Sequence, residues 1–350
     1  MKKVLFALSA LALFGCSDDD DTNTIGTPGK YSSGTYIASE GVFQTGAGTV
    51  SYYQPEAKNV VNEVFIRENG FPVGNVLQDI GFNGEDAFLV VNNSGTMEVV
   101  EAGTFKSKNS VTGFTSPRYF TVVSNQNAYV SDWFADDVKV IDLTSFRIVD
   151  SISTGVGPEK MISNGAGITY IANSGAWTRD SVVTVINSND HEVLKTVQVG
   201  DNPQSLQYDE NGNPWVLCSG YADWTTPANS TAGKLIMLDP TTHEPAKTLV
   251  FPDNFNHPIH LHVYGSNLFY LSTNYGGKVM KMDANSTTLP TTPLTDKGFY
   301  NFSVDPSNGD IYGTDAKDFN QTGLVFRYDM NGTLLDSFAT GIIPSTISFK

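Results

Sequence analysis

The chain has 350 residues, with 21 Lys and Arg against 37 Asp and Glu, for a formal net charge of -16. That balance argues against partnership with nucleic acid or adsorption to an anionic membrane surface. With 40% hydrophobic and 17% charged residues the composition is that of an ordinary soluble globular protein, long enough to bury a large core.

The N-terminus reads "MKKVLFALSALALFGCSDDDDT": Lys2 and Lys3, a short apolar run, then "LFGC". This is the layout of a secretory signal over residues 1–15, too short to persist as a membrane-spanning helix. Leu13, Phe14 and Gly15 before Cys16 resemble a bacterial lipoprotein cleavage box, which implies that Cys16 is lipidated and begins the mature chain. The "SDDDD" that follows resembles the acidic export tag of surface-exposed lipoproteins in the Bacteroides group. Residues 16–33 then form a lipidated cysteine and an acidic, polar linker, and 34–350 the globular domain. With Cys16 lipidated, Cys218 has no partner, so no disulfide framework exists; in "PWVLC" it reads as a small core residue.

From residue 34 one unit recurs. An apolar strand is followed by a variable polar loop, a Gly-led strand and an Asp/Asn turn. The first strands are "TYIAS", "AFLVV", "AYVSD", "TYIAN", "PWVLC", "FYLST" and "IYGTD". Their partners are "GTVSYYQPE", "GTMEVVEAG", "DDVKVIDLT", "SVVTVINSN", "GKLIMLDPT", "GKVMKMDAN" and "GLVFRYDMN". The landmarks Tyr36, Phe88, Tyr129, Tyr170, Trp215, Tyr270 and Tyr312 are 41 to 55 residues apart. Short strands and Gly/Asn/Asp turns at this period predict an all-β, seven-bladed β-propeller. Most units start with a turn and proline leading into an innermost strand, as in "TSPRYFTVV", "VGPEKMISN", "DNPQSLQYD" and "NHPIHLHVY". The first unit lacks such a strand and the chain ends on one, "IIPSTISFK", so the C-terminal strand is expected to complete the N-terminal blade. No segment has a sustained helical period.

The loops between the second and third strands of a blade share one face with the inter-blade connections. They are long and varied, whereas the third-to-fourth turns ("DLTSF", "NSNDHE", "DPTTHE", "DMNG") are short and alike. Long loops on a rigid scaffold are where binding residues gather. Phe43, Trp133, Trp177, Tyr221, Trp224, Tyr275 and Phe319 fall in them, with Asn93, Asp132, Asn173, Arg179, Asn274 and Asp315 supplying polar groups. Around a ring opening these form a candidate aromatic-walled ligand bowl. Trp215 belongs to a strand and reads as core.

Three of the five histidines sit in "NFNHPIHLH". Pro258 takes the slot of Pro117, Pro158, Pro203 and Pro344. His260 and His262 then alternate with Leu261 and Val263 and read as channel-facing residues, while His257 lies in an inter-blade loop on the ligand face. His191 and His243 occupy equivalent third-to-fourth turns on the plain face and read as solvent-exposed. Two histidines on one strand without a third ligand do not make a metal site, and "DPSNGD" lacks the later acid of a calcium loop. No metalloprotease, phosphate-loop or nucleophile-elbow motif is present, and nothing favours catalysis or a cofactor.

The lipoprotein signal, the acidic tag and repeats such as "AYVSDWFADDVKVIDLTSFRIVDSISTGVGP" together resemble the YncE-like seven-bladed propeller lipoproteins of the BtuG type. The resemblance implies a protein lipid-anchored at the outer membrane and facing the exterior. It would capture cobalamin or a related corrinoid and pass it to a TonB-dependent outer-membrane transporter. Two other readings stay open from the residues alone: a surface module for a glycan, peptide or partner protein, and a propeller enzyme of the lyase or lactonase kind.

Overall fold

A computed structural model describes residues 29–350. The signal peptide, Cys16 and the acidic run lie outside the described residues. Within them, 28 strands form seven four-stranded antiparallel sheets. The innermost strands, in blade order, are Pro344–Phe349, Leu77–Asn83, Pro117–Val122, Pro158–Ser163, Pro203–Tyr208, Ile259–Tyr264 and Asn301–Val304. Each packs against the next, and the last packs on the first, so the sheets close into a ring around a channel. This is a seven-bladed β-propeller.

The closing contact is the expected one. Pro344–Phe349 pairs antiparallel with Thr35–Ser39, with Ile347 opposite Ile37 and Phe349 opposite Thr35. Three hydroxyls extend the seam beyond its own blade. Thr346 Oγ1 donates to the Gln78 carbonyl at 2.8 Å and Ser348 Oγ to the Ile80 carbonyl at 2.7 Å, both in blade 2. Ser303 Oγ in blade 7 donates to the Ile347 carbonyl at 3.0 Å. The C-terminal strand therefore ties three consecutive blades together.

All seven landmark aromatics are buried at 0 to 1% exposure. Their covers explain the repeated third-to-fourth turns. The residue closing that turn adopts positive φ in successive blades: Phe105 (58°), Phe146 (53°), His191 (64°) and His243 (63°). This places it over the landmark of the preceding blade. Phe105 stacks on Tyr36 at 5.6 Å and Phe146 lies 6.1 Å from Phe88. His191 and His243 instead reach tyrosines, with Nδ1 2.7 Å from Tyr129 Oη and 2.6 Å from Tyr170 Oη. The expectation that these two histidines are solvent-exposed is corrected: they are half-buried inter-blade ties, matched to phenols that would otherwise be orphaned.

Three further differences from the expectation are local. A six-residue helix, Val64–Asn69, follows the short outer strand Asn59–Val61; it buries Val64 and Phe65 and stops at Gly70 in the left-handed region. The sixth blade's second strand runs Asn267–Leu271, two residues before the "FYLST" expectation, and its outer strand is only Gly298–Phe299. The packed fold also reaches back past residue 34: Tyr31 is buried, its N–H donating to Gly103 O at 2.9 Å and its hydroxyl to Glu68 at 2.8 Å.

Candidate functional site

The loop-rich face opens into a bowl of about 570 Å³. Six of the seven second-to-third loops and the starts of all seven innermost strands line it. It narrows onto a second cavity of about 220 Å³ enclosed by the innermost strands, the central channel.

Seven of the fourteen residues expected at a ligand site line the bowl: Phe43, Trp133, Trp177, Trp224, His257, Asn274 and Tyr275. Trp177, Trp224 and Tyr275 stand on the rim at 80, 89 and 75% exposure, a large apolar area to leave in water on one face. Trp133 lies deeper. Its indole N–H donates to Ser174 Oγ at 3.2 Å, and Trp177 leans on it with ring centroids 5.2 Å apart. The Trp177 loop can approach because residue 157 is glycine at φ +61°; a Cβ there would stand 2.3 Å from the Ala176 nitrogen. His257 is buried, lines the bowl, and has Nδ1 3.0 Å from the Ser219 carbonyl.

The other seven serve the scaffold around it. Asp132 is fully buried and accepts the Thr115 and Ser116 N–H groups, each at 2.7 Å. Asn173, also buried, donates to the Val182 carbonyl at 3.1 Å and to Thr184 Oγ1 at 3.0 Å. Asn93 donates to Asn75 Oδ1 at 2.8 Å, and the neighbouring Asn92 is the one that lines the bowl. Arg179 is bidentate to Asp201 at 2.8 and 2.6 Å and lies 5.0 Å over the Tyr221 ring. Asp201 also accepts Thr231 Oγ1 at 2.5 Å, so Arg179 and Tyr221 pin the neck of the long loop that presents Trp224. Phe319 packs edge-on against Tyr300 at 5.4 Å, and Tyr300 faces the bowl and donates to Glu40 at 3.1 Å. Asp315 pairs with Lys297 at 2.9 Å.

The floor was not anticipated from the sequence. Arg118, Tyr119, Glu159 and Lys160 line the bowl as two consecutive pairs, although alternation along a strand would turn one of each pair away. The cause is a register shift at the start of the innermost strands: between Pro117 and Phe120, Pro158 and Met161, Pro203 and Ser205, and Ile259 and His262. A bulge of this kind inserts one residue and re-aims its neighbours. Arg118 spans Glu159 (3.2 Å) and Gln78 Oε1 (2.6 Å) and lies 4.8 Å over the Trp133 ring. Burial would lower the Arg118 pKa, but Glu159 beside it raises it overall. Burial raises the carboxyls of Glu159, Glu40 and Asp79 and lowers the Lys160 ammonium. Carboxamides complete the wall: Gln78, Asn92, Asn202, Gln204, Asn274 and Asn301. The one readable signal was charge inside a buried strand, as in "PRYF" and "PEKM".

His260 and His262 line the channel as expected, and burial lowers both to about 3. Both are bases whose folded value lies below the unfolded 6.5, so the unfolded chain binds more protons between pH 6.5 and about 3. Their contribution is complete above pH 6.5 and is lost as pH falls. Both rings are only half-buried, which moderates the cost to the order of 1–2 kcal/mol per histidine at pH 5. The His260→Gln, His262→Gln chain is therefore expected to lose several degrees less in melting temperature than the parent between pH 7 and pH 5. Equal losses would remove the histidines from the acid response.

A model of the family described as a domain of unknown function, DUF5074, matches residues 33–341. No curated protein matches the chain. Among solved structures, it is similar to a quinonprotein alcohol dehydrogenase-like protein from Bacteroides thetaiotaomicron, at 15% identity and TM-score 0.66 over 91% of this chain and 78% of that one. It is similar to a proposed 6-phosphogluconolactonase from Bacteroides fragilis, at 13% identity and TM-score 0.64 over 93% and 100%. A third similarity, to Kuenenia stuttgartiensis hydrazine synthase, has 17% identity and TM-score 0.57 over 75% and 86%. At these identities the likeness is one of fold.

Proposed function

We propose that this chain, which belongs to the DUF5074 family, is a capture protein whose bowl holds cobalamin or a related corrinoid. In this reading it is lipid-anchored through Cys16 at the outer membrane, faces the exterior, and delivers the ligand to a TonB-dependent transporter. The observation that carries the reading is the pairing of an exposed aromatic rim with a carboxamide wall in one open cavity. A corrin offers a broad apolar plane to Trp177, Trp224 and Tyr275. Its amide-bearing edge offers donors and acceptors to Gln204, Asn202 and Asn274. Asn202 Oδ1 is buried and has no partner among the described residues, so a ligand N–H would satisfy it. Because the ring of blades is rigid, little ordering would oppose binding.

The test is titration of the purified protein with cyanocobalamin. Binding below micromolar concentration is expected, and its absence there removes the corrinoid reading. Replacing Trp177 and Trp224 together by Ala should weaken binding about tenfold or more. The melting temperature should barely move, because both indoles are exposed. Unchanged affinity would take the rim out of the site. A second reading, a glycan receptor, is favoured by the same exposed indoles, which suit sugar rings; retention on an immobilised glycan with no response to cyanocobalamin would select it.

A further inference from the structure

Between the bowl and the channel the innermost strands form a throat, and Lys160 lines both cavities there. Among the described residues its ammonium makes no hydrogen bond. Its contacts are Asp79 Oδ1 at 4.0 Å and the face of Tyr119, 3.8 Å from the ring centroid. About a third of the side chain (35%) remains exposed to the cavity. The carboxylates nearby are already engaged. Glu159 takes the Arg118 guanidinium, and Asp79 Oδ2 accepts the Phe120 N–H at 2.9 Å. The unspent capacity at the throat is thus donor capacity: three N–H groups on Lys160, those Arg118 does not give to Glu159 and Gln78, and the His260 ring beside them.

We propose that the throat is a subsite for an anionic oxygen group, phosphate or carboxylate, seated on Lys160 with Arg118 and His260 around it. The inference rests on the bowl being a ligand site, and places a group that hangs from the ligand below the aromatic rim. An ammonium without a hydrogen-bonded partner gains charge-assisted bonds to such a group at little cost in reorganisation. Arg118 is taken by Glu159, and Asp79 meets Lys160 only at 4.0 Å with its other oxygen held by the Phe120 N–H, so the anion takes the three N–H groups that Asp79 leaves unbonded. Carboxamides and neutral sugars would offer Lys160 only the weaker bond of a neutral acceptor.

The probes are inorganic phosphate, cyanocobalamin, which carries a phosphodiester, and dicyanocobinamide, which keeps the corrin and its amides but has no phosphate. Trp133, stacked on Arg118, supplies a fluorescence signal next to the throat. The full chain is expected to bind phosphate, with affinity reduced about tenfold or more in Lys160→Gln and largely kept in Lys160→Arg. Phosphate affinity equal in the parent and Lys160→Gln overturns the subsite; Lys160→Met serves the same purpose if the glutamine variant does not fold. A loss in Lys160→Gln that is larger for cyanocobalamin than for dicyanocobinamide assigns the group to the ligand. Equal corrinoid affinities in parent and variant, with phosphate binding still dependent on Lys160, assign the throat to free phosphate. Lys160-dependent phosphate binding with no corrinoid binding at all supports the subsite and removes only the corrinoid reading.

Discussion

Removing residues 344–350 is expected to abolish cooperative folding of the ring. The deleted strand supplies the whole innermost layer of blade 1, from Pro344 opposite Ser39 to Phe349 opposite Thr35, and buries Ile347. Burial of one such aliphatic side chain contributes about 1.5–3 kcal/mol. The ladder bonds, together with Thr346, Ser348 and Ser303 at the seam, add roughly 0.5–1.5 kcal/mol each. Their sum is comparable to the whole stability of a typical domain, about 5–15 kcal/mol. The truncation also exposes the strand edge along Thr35–Ser39 and strips the Gln78 and Ile80 carbonyls of their hydroxyl donors. Thermal and urea unfolding followed by circular dichroism would show a broad or absent transition. A truncated chain that melts within a few degrees of the parent would show that the ring does not depend on this closure.

Arg118→Ala is expected to be the costliest single substitution at the floor. Glu159 is 9% exposed in its side chain and hydrogen-bonds through Arg118, while Trp133 loses the guanidinium stacked on it. Breaking one partner of a buried pair leaves an uncompensated charge, at about 3–5 kcal/mol. Lys160 lies close by and offsets part of that, so about 3 kcal/mol is the expected loss, a drop on the order of 4–5 °C in melting temperature for a ring of this size. Changing both partners to apolar residues, Arg118→Met with Glu159→Met, should recover most of it, because no charge is then left stranded. If the single and double variants are equally destabilised, the cost belongs to packing and not to the pair.

The repeat was legible because a propeller needs the same local solution seven times. The "TYIAS", "PWVLC" and "IYGTD" expectations coincide with the observed strands Thr35–Ser39, Pro214–Cys218 and Ile311–Asp315. The face assignment was legible for the same reason, since loop length differs consistently between the two ends of the blades. Single polar residues in the loops were not. Asp132 and Asn173 occur just where a ligand contact is expected, yet both turn back to bond their own blade. Asp and Asn side chains satisfy loop backbone as readily as they bind ligands, and residue type does not distinguish the two uses.

By itself the sequence determined the architecture: seven blades, the strand that closes them, the aromatic rim and the channel-facing His260 and His262. These follow from periodicity and from apolar residues that must be buried. Only the tertiary structure decided the floor of the bowl and the ties between blades. Arg118 and Glu159, each one residue after the strand's proline, enter the bowl beside Tyr119 and Lys160 through a one-residue bulge, against the parity that a period-two reading assigns. His191 and His243 find Tyr129 and Tyr170, 62 and 73 residues away in sequence. A pairing of that range leaves no trace in local pattern, because it exists only once neighbouring blades are packed.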